Sequence, residues 1–222
     1  MDLMEAMEAR HSVRQYDGRP LDPLVEQALR KMIEKVNFDS GLHIQLVTNE
    51  PKAFDGVLAR YGNFVGVSNY LAMIGKKGPK LDECIGYYGE MLVLGMQRLG
   101  LNSCWAGLTF TRQPEVLQIE RGEKLSLVIA IGYGLNQGKP HLSKTPDQVS
   151  ENWQQSPDWF KDGVRAALLA PTAVNQQKFR FSCEGNVVTV KPGSGFFSKV
   201  DMGIAKYHFQ LGAGKDNFTW AK

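Results

Sequence analysis

Apolar residues recur with helical spacing first over 3–11, a short amphipathic stretch, and then more fully from Leu24. Leu24, Val25, Ala28, Leu29, Met32, Ile33 and Val36 fall every three or four positions, the spacing of one helix face. Asp22-Pro23 ahead of them is an N-cap residue followed by a proline at the first helical position, and Asn37 suits the end. Leu42 to Thr48 alternates with period two and predicts a strand. Tyr70 to Ile74 is a short apolar run that predicts a buried strand. Asp82 opens a long helix through Leu99, closed by Gly100. Its apolar positions (Ile85, Tyr88, Met91, Leu92, Val93, Leu94 and Met96) lie nearly all round it, so it is buried. Gly86, Gly89 and Gly95 cost helix propensity, which predicts something packed closely against them. Leu125 to Tyr133 is apolar enough to be a central strand.

The pattern then breaks. Residues 134–155 are polar and loop-like and predict a connector. Ser156-Pro157 repeats the cap logic of Asp22-Pro23 and predicts a helix through Leu169. A turn at Pro171–Asn175 follows, then a hairpin of Phe179–Cys183 and Val187–Val190 around Gly185-Asn186. Asp201 to Leu211 predicts a last helix, ended by Gly212 and Gly214. The order helix, strand, linking segment, helix therefore occurs twice: 22–49 is laid out like 156–183, and 82–100 more weakly like 201–214. Layout alone leaves two readings open, an internal repeat or an α+β domain that reuses common cap chemistry. The expected fold class is α+β, a mixed sheet packed by helices.

Composition narrows the function classes. The 222 residues are 43% hydrophobic and 22% charged, enough for a substantial core and too apolar for disorder. The net charge of +3 is small and scattered, which argues against nucleic acid. No apolar run reaches the roughly 18 residues of a membrane helix, and the acidic start Met1-Asp2-Leu3-Met4-Glu5 is unlike a signal peptide. Cys84, Cys104 and Cys183 are far apart, with no C-x-x-C, the simplest reading being a reduced cytoplasmic protein. His11, His43, His141 and His208 lack zinc-type spacing, so no metal is expected. Cys104 has no base nearby in sequence and is not a convincing nucleophile.

Two segments carry candidate chemistry. Ala9-Arg10-His11-Ser12-Val13-Arg14 places two guanidinium groups and a hydroxyl at i, i+2 and i+4, which suits a phosphate on a chain just leaving a helix. Without other support the same pattern reads as a solvated basic face. Ala170-Pro171-Thr172-Ala173-Val174-Asn175-Gln176-Gln177-Lys178-Phe179-Arg180-Phe181 is a small polar turn between a helix and a strand.

Together these segments resemble the two signature segments of the FMN-dependent nitroreductase family, R-x-S-x-R-x-[FY] and A-P-[ST]-x-x-N-x-Q-P-W-x-F. Leu99-Gly100-Leu101-Asn102-Ser103-Cys104-Trp105-Ala106-Gly107 resembles that family's glycine loop after its long core helix. Ala130-Ile131-Gly132-Tyr133, running into Lys139-Pro140 and Lys144, resembles its final strand and basic phosphate loop. The chain departs from the pattern at Lys178 for proline and Phe179 for tryptophan. It also separates by nearly its whole length two segments that normally lie a helix apart. In the family, one subunit supplies the Arg-Ser-Arg segment and glycine loop and the other the Pro-Ser-x-x-Asn turn. Here residues 36–43 hold no such turn, and Lys161–Arg165 is no Arg-Ser-Arg substitute. The resemblance thus implies a two-repeat, single-chain pseudo-dimer: a first half over 1–135, a connector over 136–155, and a second, truncated half over 156–222.

Residue by residue, the resemblance implies that Arg10, the His11 backbone and Ser12 hold the FMN phosphate, and that Arg14 lies nearer the ribityl chain and the pyrimidine edge. Ala106 and Gly107 present backbone to flavin N5. Pro171, Thr172, Ala173 and Asn175 line the isoalloxazine. Lys144 is the first candidate for a second phosphate contact, with Lys139 behind it, and Asn63 a candidate for the pyrimidine edge. Expected is an NAD(P)H-dependent (NADH or NADPH) ping-pong oxidoreductase acting on a small-molecule nitroaromatic or quinone. The chain is expected to be a monomer with an internal pseudo-dimer, open to further dimerisation, with no nucleic-acid or membrane partner and no side chain needed as acid or base. An FMN holder or redox sensor with little turnover is the alternative; an interaction domain that has lost flavin is the third reading.

Overall fold

The computed structural model describes residues 1–221. The chain forms two compact units, one of residues 9–81 and 92–140, the other of residues 1–8, 82–91 and the chain from His141 onwards. Each is described by itself.

The first unit is built on a four-stranded antiparallel sheet. α1 (Leu3–Ala9) belongs to the other unit but for its last residue; here come α2 (Pro23–Ser40), then β1 (Gln45–Val47), a one-turn helix α3 (Val57–Tyr61) and β2 (Asn69–Lys76). The long helix α4 (Leu81–Arg98) leads to β3 (Asn102–Ala106) and β4 (Glu123–Gly132). The sheet order is β1-β2-β4-β3, so β2 and β4 are its inner strands, as their apolar runs predict. Tyr70, Ala72 and Ile74 of β2 and Val128 and Ala130 of β4 face one side, packed with Phe54, Phe64 and Cys104. The alternate residues Leu71, Met73, Ile129 and Ile131 are buried on the other. The register skips between Met73 and Ile74. The extra residue, Ser126, makes a bulge, and its buried hydroxyl has no hydrogen-bond partner among the described residues.

Capping sets the ends of α2. The Asp22 carboxylate accepts from the Leu24 amide at 2.9 Å, and Leu29, Ile33 and Val36 bury one face. The helix runs past the expected end at Asn37, because the residue able to take a left-handed cap is Gly41, at φ 69°. Asn37 instead bonds both backbone groups of Ile44, at 2.8 and 2.9 Å, tying helix to incoming strand. The segment 102–106, expected as a loop, is the strand β3.

The second unit holds α5 (Pro146–Val149), α6 (Asp158–Ala167), the hairpin β5 (Phe179–Glu184) and β6 (Val187–Pro192), α7 (Ser198–Ala213), and β7 (Thr219–Trp220), which pairs parallel to β6. This small sheet is mixed; the larger one is antiparallel throughout. Phe209 of α7 stacks on Phe181 at 4.7 Å between centroids and meets Phe160, Phe218 and Trp220 edge-on or tilted. Residues 82–91 of α4 cross α7 with glycine on both sides. A Cβ on Gly86 would collide with the Val200 carbonyl, and one on Gly203 with the Glu83 carbonyl, the close packing that the glycines of α4 predict. Lys206 pairs with Glu83 at 2.6 Å, and the fully buried His208 and Glu90 meet at 2.9 Å.

Two expectations are corrected here. Ser156 does not cap α6: its hydroxyl donates to the Asn152 carbonyl at 2.9 Å, and α6 begins after Pro157 with no side-chain cap. The capping parallel with Asp22 is therefore one of sequence only. The polar stretch ahead of α6, expected as loop, also holds a short helix at Pro146–Val149: Thr145 and Gln148 form its capping box, and the Glu151 amide donates to the Phe181 carbonyl at 2.9 Å.

Candidate functional site

The Arg-Ser-Arg segment leaves α1 and runs extended. Ser12 bridges to Ser103 of β3, Gln15 to Val65, and Tyr16 to Gly134, with the Val13 amide on the Ser103 carbonyl at 3.1 Å. Arg10 is buried, Ser12 half-buried and Arg14 exposed, while Val13 is wholly buried in the core cluster that also holds Tyr16 and Cys104. Burial holds the Cys104 thiol above the ordinary range, against the positive charge of Arg14, a hydrogen bond from Ser12 and the charge of Arg10. Tyr16 donates to the Val13 carbonyl at 2.7 Å; burial, then the nearby Cys104, keep its phenol protonated, with Arg14 opposing.

The loop after β4 closes over this segment. Asn102 accepts from the Gly134 amide and donates to Gln137, both at 3.0 Å. Gly138, at φ 73°, sits where a Cβ would lie 2.7 Å from the His11 Cβ, so only glycine allows that approach. Lys139, next in the chain, is exposed. Asn63, exposed at φ 58°, ends the turn after α3. Two residues on, Val65 exchanges backbone hydrogen bonds at 2.9 Å with Arg14 and Tyr16. Ala106 is buried at the end of β3 and Gly107 begins the loop after it. Arg10, His11, Ser12, Arg14, Asn63, Ala106 and Gly107 thus all lie in the first unit, on or next to segments bonded to one another.

Pro171, Thr172, Ala173, Asn175 and Lys144 lie in the second unit, where Thr172, Ala173, Asn175 and Lys144 join one hydrogen-bonded network. Lys144 donates its ammonium to the Gln176 and Gln177 carbonyls at 2.9 and 3.0 Å. Its amide donates to the Gln177 side chain at 2.8 Å. Asn175 and Gln177 both donate to the Leu142 carbonyl, at 2.8 and 3.0 Å. The structure therefore uses Lys144 to hold the turn, while Gly138, just before Lys139, is the residue that approaches the Arg-Ser-Arg segment. The departures at 178 and 179 are structural: Lys178 donates to the Ser194 carbonyl at 2.7 Å, and Phe179 is core.

Sequence reasoning missed Asp201. Its carboxylate accepts from the Ala173 amide at 3.0 Å and from the Gln176 side chain at 2.6 Å. It also missed the buried Gln177, whose side chain bridges Lys144, Leu142 and Asn175. No local pattern announces either contact; Asp201 reads as an ordinary acidic residue in a first helical turn.

No helix of the described residues is long and apolar enough to cross a membrane. A family model described as "Putative TM nitroreductase" matches residues 2–213. Among solved structures, the chain is similar to a putative nitroreductase from Thermotoga maritima, at 21% identity and TM-score 0.69, over 97% of this chain and 85% of that one. It is also similar to a putative nitroreductase in complex with FMN from Desulfovibrio desulfuricans, at 15% identity and TM-score 0.53, over 67% and 95%. A third is a putative NADH dehydrogenase/NAD(P)H nitroreductase from Parabacteroides distasonis, at 19% identity and TM-score 0.53, over 68% and 97%. No curated protein matches the chain.

Proposed function

We infer function from one premise: the chain belongs to the family described as "Putative TM nitroreductase". We propose that it is an FMN-dependent oxidoreductase that passes electrons from NAD(P)H to an electron-poor acceptor such as a nitroaromatic or a quinone. The observation that carries the proposal is the Arg10-Ser12-Arg14 segment held along β3, by the Ser12–Ser103 bridge and the Val13 amide on the Ser103 carbonyl. The FMN complex of the Desulfovibrio relative and the NAD(P)H in the name of the Parabacteroides relative support the cofactor and the donor.

The residues fit a phosphate. Two guanidinium groups and a hydroxyl offer charge-assisted hydrogen bonds, and Gly138 brings its backbone against the same segment without a side chain in the way. In the proposal, Arg10, the His11 backbone, Ser12 and Lys139 bind the phosphate. Arg14, more exposed, places its charge toward the pyrimidine edge, where a cation favours the reduced, anionic form, and Asn63 serves the same edge. Ala106 and Gly107 supply backbone at N5. The role carried from the family to Pro171, Thr172, Ala173 and Asn175 is to line the isoalloxazine, with Lys144 fixing their backbone. An FMN bound there would supply the redox chemistry, as a two-electron carrier between nicotinamide and acceptor. The chain's own part is to bind, orient and stabilise charge; no side chain is assigned as acid or base.

The test begins with colour. Protein purified or reconstituted with FMN is expected to retain it through gel filtration and to show flavin absorbance. Failure to take up FMN at micromolar concentration would leave an interaction domain in place of a flavoprotein.

A further inference from the structure

The backbone over Thr172–Gln177 takes an unfavourable course. Val174, Asn175 and Gln177 have φ of 45°, 54° and 44°, the left-handed region that side-chain-bearing residues avoid and a β-branched residue avoids most. Val174 is 97% exposed, so its side chain contributes no packing to offset that cost. What holds the turn is hydrogen bonding, and part of that comes from a carboxylate 2% exposed. One oxygen of Asp201 accepts from the Ala173 amide and the other from the Gln176 carboxamide, which also donates to the Phe196 carbonyl at 2.9 Å.

Burying an ionised carboxylate is costly unless it is paired, and among the described residues no cation forms an ion pair with Asp201. Lys199, two residues away, is exposed, and three further ammonium groups are engaged elsewhere: Lys144 on the Gln176 and Gln177 carbonyls, Lys178 on the Ser194 carbonyl, and Lys206 on Glu83. Both oxygens of this buried anion are spent on the turn.

We propose that Asp201 is a positioning residue of the site: through the Ala173 amide and the Gln176 side chain it holds the 172–177 turn in its left-handed course, and so sets the Asn175 and backbone that the flavin reading uses. The inference rests on that reading for its functional consequence but on hydrogen bonds within one unit for its geometry. Burial pushes the Asp201 carboxyl up to about 6, with the Gln176 and Ala173 hydrogen bonds opposing. Protonation puts an O–H where a donor already points, so the grip weakens as pH falls through that value.

Two readouts separate this inference from the flavin assignment. The first is peptide-level hydrogen exchange of the full chain without ligand, between about pH 5 and pH 8. Protection of the peptide covering 170–178, corrected for intrinsic exchange, is expected to fall severalfold as pH drops through about 6 in the wild type. In Asp201→Asn it is expected to be low throughout, without a step. The second is FMN affinity, expected to be roughly tenfold weaker in Asp201→Asn above that pH. The FMN phosphate itself titrates near pH 6, so the quantity compared is the difference between variant and wild type. If Asp201→Asn does not fold, Gln176→Ala removes the other half of the contact and is expected to lower turn protection in the same way. Turn protection that behaves as predicted in a protein that binds no FMN supports the clamp and overturns the flavin reading. Protection that is flat with pH in the wild type and unchanged in the variants overturns the clamp.

Discussion

Arg10 and Arg14 sit two residues either side of Ser12 but in different dielectric surroundings. Arg10 is 4% exposed, and Arg14 is open to solvent. A buried guanidinium loses more when its contact goes, because solvent neither screens nor replaces it. Arg10→Ala is therefore expected to weaken FMN binding by roughly 1.5–3 kcal/mol and Arg14→Ala by less, as equilibrium dialysis would show; equal, negligible losses would remove the phosphate assignment. Asp201 gives a pH prediction. Its folded value, about 6, lies above the ordinary 3.8, so the folded state binds the proton more tightly. Its contribution to stability is then fully present below the unfolded value and is lost as pH rises through about 6. The difference is of order 3 kcal/mol, at about 1.4 kcal/mol per unit. Urea unfolding at a series of pH values should show that slope in the wild type and lose it in Asp201→Asn. The local grip on the turn runs the other way, so holding the turn with a charged Asp201 costs global stability.

At the scale of elements, what was legible in the sequence was whatever local chemistry specifies. Asp22-Pro23 and the apolar face behind it located α2, and the apolar runs at 70–74 and 125–133 located the inner strands, the first short at both ends and the second two residues late and one residue long. β3 was not legible, because Asn102-Ser103-Cys104-Trp105-Ala106 neither alternates nor runs apolar. Its strand character comes from pairing with β4 on one side and with Ser12 on the other, partners far away in sequence. Ser156 misled for the same reason, since a cap is a hydrogen bond and the Ser156 hydroxyl is spent on Asn152. In the site, the Arg-Ser-Arg spacing was readable, but the roles of Lys139, Lys144, Gln177 and Asp201 were not, because each depends on which loop lies beside it. The glycines of α4 allow a quantitative check. Gly86→Ala is expected to destabilise the protein by about 1–3 kcal/mol in chemical denaturation, since the partner is the Val200 backbone, which cannot rotate away. Gly41→Ala meets no neighbour but forces alanine into φ 69°, and should cost about 1 kcal/mol. A Gly86→Ala variant as stable as wild type would mean that α4 and α7 do not approach as closely as described.

For the whole molecule, the proposal makes a claim about stoichiometry. The Arg-Ser-Arg segment and the Pro-Thr-Ala-Val-Asn turn each occur once in 222 residues, so one FMN per chain is expected. Released flavin measured against protein concentration should give a ratio near one. Two would mean that a second site exists without that segment. The central claim is that this chain moves electrons through a bound flavin, and anaerobic titration of the FMN-loaded protein with NADH or NADPH, followed at the visible flavin band, tests it most directly. The account predicts bleaching by about one equivalent of nicotinamide per flavin and return of the band when a quinone or nitroaromatic is added. Flavin that stays oxidised in excess of both nicotinamides would contradict it, and would make the protein a holder of FMN instead of an enzyme that uses it.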